Sequence, residues 1–429
     1  MLQRLFAPSL FRRTAARVSR PWPLSAYRCA YTYTYSTKST HRRISDPLRI
    51  LFCGSDEFSC ESLKALHAAH ARNADLIQSI DVVVRPAKPT GRGYKVLRES
   101  PLKELAKVLK LRVHERDTFT GWDMPKARDE PINLIIAVSF GLFVPPRLLR
   151  AAKYGGLNIH PSLLPDLRGP APLHHALLAS RTHTGVSLQT LSEKTFDAGA
   201  VLLQTPPPGI PIPPGCTVPQ LHAMLAPLGG TMLVSGLEMG LHVPPHVSVV
   251  PPLEAADEAT KRSLIHAPKV TSADVHVRWD TWTAADTALR ARVIGALWTY
   301  VYLPREKRKL LRLILEGVEE VPEHELPDDV ARQLVGPLEQ QSRTPFICAQ
   351  LPAVDKKIKS PASSGPGENE TILEAPRFVL PYAVDGDSVI VFMPQGGFIR
   401  IQNVTLDGSP TRPAAARFRE ILKPNLKQE

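Results

Sequence analysis

From Leu48 onward, apolar runs of strand length alternate with stretches of helical spacing. LRILFC (48–53), IDVVV (80–84), INLIIAVS (132–139) and GGLNIH (155–160) are short and nearly continuously apolar, the pattern of strands buried on both faces. Between them, ESLKALHAAHA (61–71), SPLKELAKVLK (100–110), VPPRLLRAAK (144–153) and APLHHALLAS (171–180) carry helical spacing, with proline near three of the starts, where its missing N–H costs nothing. Strands alternating with helices predict a doubly wound, mostly parallel α/β sheet over residues 46–245, ending in a helical stretch from Thr217 to Leu241. Proline-rich VPPHVSVVPPLEAADE places a linker at 246–260. Beyond it the runs shorten: VHVRW, LRLILEGV, RFVLPYAV, SVIVFM and GFIRIQNVTL. These predict a small antiparallel β-barrel, OB-like, over 261–429. Polar LPAVDKKIKSPASSGPGENET reads as a disordered insertion near 340–372.

Charge changes the picture at one end. The chain has 429 residues and a formal net charge of +12, yet residues 1–45 hold eight Arg, one Lys and no acid, so most of that excess is local. An Arg-rich amphipathic opening followed by a hydroxyl-rich, acid-free stretch is the composition of a mitochondrial transit peptide, with the matrix as destination. Overall basicity is then weak evidence for nucleic acid. No apolar run reaches the ~18–20 residues of a membrane helix, so no membrane partner is expected. Of five cysteines, Cys29 lies in the presequence and the others form no metal or disulfide pattern.

Candidate chemistry sits where the strand GLNIH ends. Ligands of open α/β sheets bind outside the carboxyl ends of the strands. Asn158 and His160 are two apart, so an extended strand presents both on one face, as an amide and imidazole able to hold an oxygen that becomes negative. Adjacent His174 and His175 point ~100° apart on a helix, which is poor for chelation, and no metal is expected. Gly54 follows a strand without a surrounding G-x-G-x-x-G, which argues against a dinucleotide site.

Asn158-Ile-His160-Pro-Ser162-Leu163-Leu164-Pro165, followed by Arg168-Gly169 and, downstream, by Asp197 in TFDAGAVLLQ, resembles the signature of the folate-dependent formyltransferases. The resemblance implies that Asn158 and His160 bind a formyl oxygen, that Asp197 organises His160, and that Ser162, Leu163, Leu164 and Pro165 line a site for 10-formyltetrahydrofolate. It extends to LFCGSDEF, where Ser55-Asp56 stands for the usual Thr-Pro, to the apolar AVSFGLFVP (137–145), and to 266–296, the start of the family's C-terminal domain. RPAKPTGRG (85–93) resembles the loop by which one branch of the family reaches an acceptor stem, implying methionyl initiator tRNA as partner and Arg92, Arg85 and Lys88 as contacts, with Lys95 and the basic run 304–312 as further cations. A monomer is expected. The alternatives are a folate-dependent formyltransferase for a small-molecule amine and a non-catalytic RNA-binding descendant. Ala198 and Ala200 depart from the family's commoner residues around Asp197 and bear on the shape of that loop.

Overall fold

The computed structural model describes residues 43–90, 96–127, 129–251, 257–302, 310–335, 346–349, 377–406 and 408–421. The expected transit peptide, apart from 43–45, and the expected insertion near 340–372, apart from 346–349, lie outside these residues; 346–349 is no disordered insertion but an apolar strand, FICA, paired on both sides, its sequence unlike the polar run that follows.

Seven strands build the first sheet: β1 (Leu48–Gly54), β2 (Ile77–Val84), β3 (Arg112–Glu115), β4 (Leu134–Val138), β5 (Gly156–His160), β6 (Ser187–Thr190) and β7 (Val201–Gln204). Their order is β7-β6-β5-β4-β1-β2-β3, with β3, β2, β1, β4 and β5 parallel and β6 antiparallel to both its neighbours. The chain winds outward from β1 through β2 to β3, then returns to β1's other side with β4. The switch point therefore falls between the carboxyl ends of β1 and β4, one strand from the end of β5. Leu48, Ile50, Leu51, Phe52 and Cys53 are wholly buried, as expected of a strand covered on both faces. The edge pair β6–β7, four residues each, was not predicted. Such short runs carry little periodicity, and their pairing is set by β5 rather than by their own pattern.

Helix α1 (Glu57–Arg72) starts at Asp56, whose carboxylate accepts the Ser59 N–H at 3.0 Å. This capping gives Asp56 a structural role, and burial pushes its carboxyl up from the usual range. Helices α2 (Pro101–Val108), α3 (Pro146–Ala151) and α4 (Pro172–Leu178) begin with proline, as predicted. Helix α5 (Val218–Glu238) opens with a Thr217–Gln220 capping box. It presses glycines against its neighbours: a Cβ on Gly229 would lie 2.9 Å from Ile159 Cγ2 on β5, and one on Gly230 2.9 Å from the Glu61 carbonyl oxygen of α1. The glycines thus set how closely α5 backs the strand that carries Asn158 and His160.

The C-terminal part holds α6 (Ala284–Ile294), β8 (Leu297–Tyr302), β9 (Leu310–Val321), α7 (Asp328–Val335), β10 (Phe346–Ala349), β11 (Arg377–Leu380), β12 (Tyr382–Asp385), β13 (Ser388–Phe392), β14 (Phe398–Leu406) and α8 (Ala414–Ile421). The sheet is antiparallel, in the order β11-β10-β8-β9-β14-β13-β12 with a two-residue strand, Arg412–Pro413, on β14. Its two ends, β11 and β12, are separated by Pro381 alone. VHVRW is not a strand. Val277 and Trp279 are buried as alternation predicts, but only His276 bridges to Trp298, and turns at Thr271–Asp274 and Arg278–Trp282 confine the run to that one bridge. Trp279 donates its indole N–H to Thr299 Oγ1 at 2.9 Å within a core of Leu297, Leu313, Val391, Ile401 and Phe418. No helix among the described residues is long and apolar enough to cross a membrane.

Candidate active site

Strand β5 delivers Asn158 and His160 to one face, and the chain then turns through Ser162–Ala171. Ser162 is buried and donates its hydroxyl to the Asp166 carbonyl at 2.7 Å. Leu164 is also buried. Its N–H donates to Ser187 Oγ at 3.1 Å, and its carbonyl accepts from Gln204 Nε2 at 2.9 Å. Only Leu163 and Pro165 of the four expected ligand-lining residues retain partial exposure. The alternation divides the segment into a pinned inner pair and an outer pair.

Asp197 reaches the same place from the loop between β6 and β7. Its φ is +53°, in the left-handed region that non-glycine residues seldom occupy. Two residues on, the loop packs tightly against β6. A Cβ on Gly199 would stand 1.7 Å from the Thr190 carbonyl oxygen, because the loop folds back on β6 through Thr190 N–H to the Ala200 carbonyl and Ala200 N–H to Thr190 Oγ1, each 2.9 Å. The glycine of the Asp-x-Gly step is required by that approach. Ala198 and Ala200 leave the turn intact.

The three side chains meet at the Asp197 carboxylate. Oδ1 accepts from Asn158 Nδ2 at 3.2 Å and lies 3.4 Å from His160 Nδ1. Gln189 Nε2 donates to the same oxygen at 3.0 Å, and the Gly169 N–H donates to Oδ2 at 3.0 Å. His160, 5% exposed, directs Nε2 to the Leu167 carbonyl at 3.0 Å. Both of its ring nitrogens therefore face acceptors of the protein itself. The second N–H of Asn158 has no partner among the described residues.

Sequence reasoning did not single out Gln189, which pairs with Asn158 in the β5–β6 register and is buried beside it. Its Oε1 is buried without a partner. Reversing the amide would set that oxygen against Asp197 Oδ1, so the carboxylate fixes the orientation and an orphan acceptor is tolerated, at a cost of about 1–3 kcal/mol. The signal was available only once β6 was recognised as the neighbour of β5.

At the rim, Phe143 and Phe196 pack edge to face at 5.3 Å, and Phe196 is 62% exposed beside Asp197. Arg85 is half-buried and paired with Asp117 at 3.0 Å. Lys88 is exposed on a hairpin formed by Lys88–Thr90 and Val96–Arg98. Arg92 and Lys95, like most of the basic run 304–312, lie outside the described residues. Arg312 is described, and its guanidinium lies 4.5 Å from the Trp298 ring centre.

A family profile described as formyl transferase matches residues 48–237. The mitochondrial methionyl-tRNA formyltransferases of Bos taurus and Homo sapiens are 32% and 34% identical over 254 and 256 residues. Each alignment covers 59% of this chain, and the chain spans only 58% of the length of these relatives. The methionyl-tRNA formyltransferase of Acidiphilium cryptum is 33% identical over 271 residues, 62% of this chain and 81% of the relative. Matched over four-fifths of that protein and carrying a formyl transferase domain around the cluster on β5, the chain belongs to the methionyl-tRNA formyltransferase family.

Proposed function

We propose that the protein transfers the formyl group of 10-formyltetrahydrofolate to the amino group of methionyl initiator tRNA in the mitochondrial matrix. The observation that carries this reading is the convergence of Asn158, His160 and Asp197 at the carboxyl end of β5. The residues fit such a donor. The Asp197 carboxylate holds one Asn158 N–H and leaves the other to give, while Phe143, Phe196, Leu163 and Pro165 supply partly exposed apolar surface nearby.

An α-amine has a pKa of ~7.7–8, and an adjacent ester lowers it, so much of the acceptor is already the free base near neutral pH. The remaining barrier is the charge that develops on the formyl oxygen when nitrogen adds to its carbon. Asn158 donates its second N–H to that oxygen. His160 adds its Nε2–H by exchanging the Leu167 carbonyl for the same oxygen, while Asp197 keeps the ring oriented through Nδ1. Asp197 Oδ1, with donors from Asn158 and Gln189 as well as the imidazole, serves as an organiser of the donors.

Recognition of tRNA falls to Arg85, Lys88 and Arg92, the last lying in sequence between the paired strands Lys88–Thr90 and Val96–Arg98, and to the C-terminal domain. We read that domain as a closed barrel, because the two ends of its strand order are contiguous through Pro381. Arg312, Trp298 and Tyr300 cluster together, a cation and aromatics suited to RNA. The test is mass analysis of methionine released from Met-tRNA after incubation with enzyme and formyl donor. Formylmethionine is expected, and unmodified methionine would refute the assignment.

A further inference from the structure

We propose that the segment joining the two domains, Ile265–Ala267, is part of the catalytic apparatus, and that Asp166 is the positioning residue that fastens it there. This rests on the site reading above. The loop Asp166–Gly169 stands between the His160–Asp197 pair and this connector, and its peptide groups bond to both. The Leu167 N–H donates outward to the Ile265 carbonyl at 2.8 Å, while the Leu167 carbonyl accepts inward from His160 Nε2 at 3.0 Å. The next peptide group does both at once. Its Arg168 carbonyl accepts from the Ala267 N–H at 2.7 Å, and its Gly169 N–H donates to Asp197 Oδ2 at 3.0 Å. A trans peptide points its C=O and N–H in opposite directions, so one rigid plane links the connector to the carboxylate.

Two features show how tightly this is set. Leu167 holds a φ of +59°, a strained conformation that the surrounding bonds must maintain. Gly169 packs so close that a Cβ there would lie 2.4 Å from the Ala267 carbonyl oxygen. Asp166 closes the clamp. Its Oδ1 accepts the Ile265 N–H at 2.8 Å, and its Oδ2 pairs at 3.0 Å with Arg181, which also donates to the Ser263 carbonyl at 2.8 Å. The Asp166 side chain bonds to Ile265 and Arg181 and has no hydrogen bond or ion pair to His160 or Asp197; it acts through the loop. Since the connector leads directly into the C-terminal domain, displacing that domain displaces the Leu167 carbonyl and the Gly169 N–H.

The experiment compares Asp166→Ala with Asp166→Asn in the full chain. The asparagine keeps the oxygen that accepts the Ile265 N–H, and that also accepts from Arg181 at 3.2 Å, but replaces the Oδ2 acceptor facing Arg181 with an NH2 donor. Misplacement of reacting groups by about 1 Å costs turnover rather than affinity. Asp166→Ala is expected to lower kcat at least about tenfold with both KM values within about twofold, and Asp166→Asn to stay within about threefold of the parent. Ile265→Pro removes the same N–H while keeping the Arg181 pair, and Leu264, at φ −74° and ψ 136°, already has the extended backbone that precedes proline. It should match Asp166→Ala. Unchanged kcat in folded Asp166→Ala or Ile265→Pro overturns the proposal, as does an equal fall in Asp166→Ala and Asp166→Asn, or a change confined to KM. Retained turnover in His160→Ala would instead overturn the site assignment on which it rests.

Discussion

Asp197 gathers four donors into a carboxylate of two oxygens, and its backbone is held where few non-glycine residues sit. The same loop packs against β6 through Gly199, which has no side chain to clash there. Gly199→Ala should therefore leave a folded protein with turnover reduced by at least about tenfold, since a Cβ 1.7 Å from a carbonyl oxygen forces the loop to move. Steady-state formylation together with a thermal melt checks this, and parental turnover would show that the loop tolerates displacement. Asn158 and His160 stood out in the sequence because the segment around them resembles the family's signature; the strand period of two, which puts both on one face, says little by itself. Gln189 and Asp166 did not stand out. Each matters through a register or a hydrogen bond to a residue at least 8 positions away, up to 99 for the Ile265 contact, and neither carries a local pattern.

At the scale of elements, strands and helices with strong apolar runs matched their predicted places. The misses were mostly elements whose own pattern is short or weak: β3, the β6–β7 edge, β8, α7, β10 inside the expected insertion, and the VHVRW run that makes a single bridge. Helix α5 shows the converse, where glycines that lower helix propensity are kept for packing. Gly230→Ala gains about 1 kcal/mol of propensity but sets a Cβ 2.9 Å from the Glu61 carbonyl oxygen, an overpacking that costs about 1–3 kcal/mol. Backbone cannot yield as a flexible side chain can, so the second effect should win. Urea unfolding is expected to give a lower midpoint for Gly230→Ala, and a higher midpoint would mean that α1 and α5 separate readily.

The whole molecule combines a basic leading segment with a body of near-balanced charge. Two buried histidines make that body sensitive to acid. Burial, with His246 adding a smaller effect, pushes His242 down to about 4. Burial, helped by Arg278 and Arg312, pushes His276 to about 4 as well. Both are more basic when unfolded, so the unfolded chain binds more protons between these values and the ordinary 6.5. Their contribution to stability is full above about pH 6.5 and is lost progressively down to about pH 4, by up to about 3 kcal/mol each. Melting temperature should fall across that interval, and His242→Gln should flatten the fall. A pH-independent melt would count against it.

At this scale the α/β class of the first sheet was legible from periodicity, whereas the attachment of the connector to the Asp166–Gly169 loop was not, because hydrogen bonds between main chains leave no trace in residue type. The central claim is that formyl transfer runs through the cluster on β5. Its most direct measurement is single-turnover formylation of methionyl initiator tRNA, read by the mass of the released amino acid, for the parent and for folded Asn158→Ala and His160→Ala. The parent should convert methionine to formylmethionine, with each variant slower by about 10²–10³-fold, the loss typical of one oxyanion donor. Parental rates in both variants would contradict it.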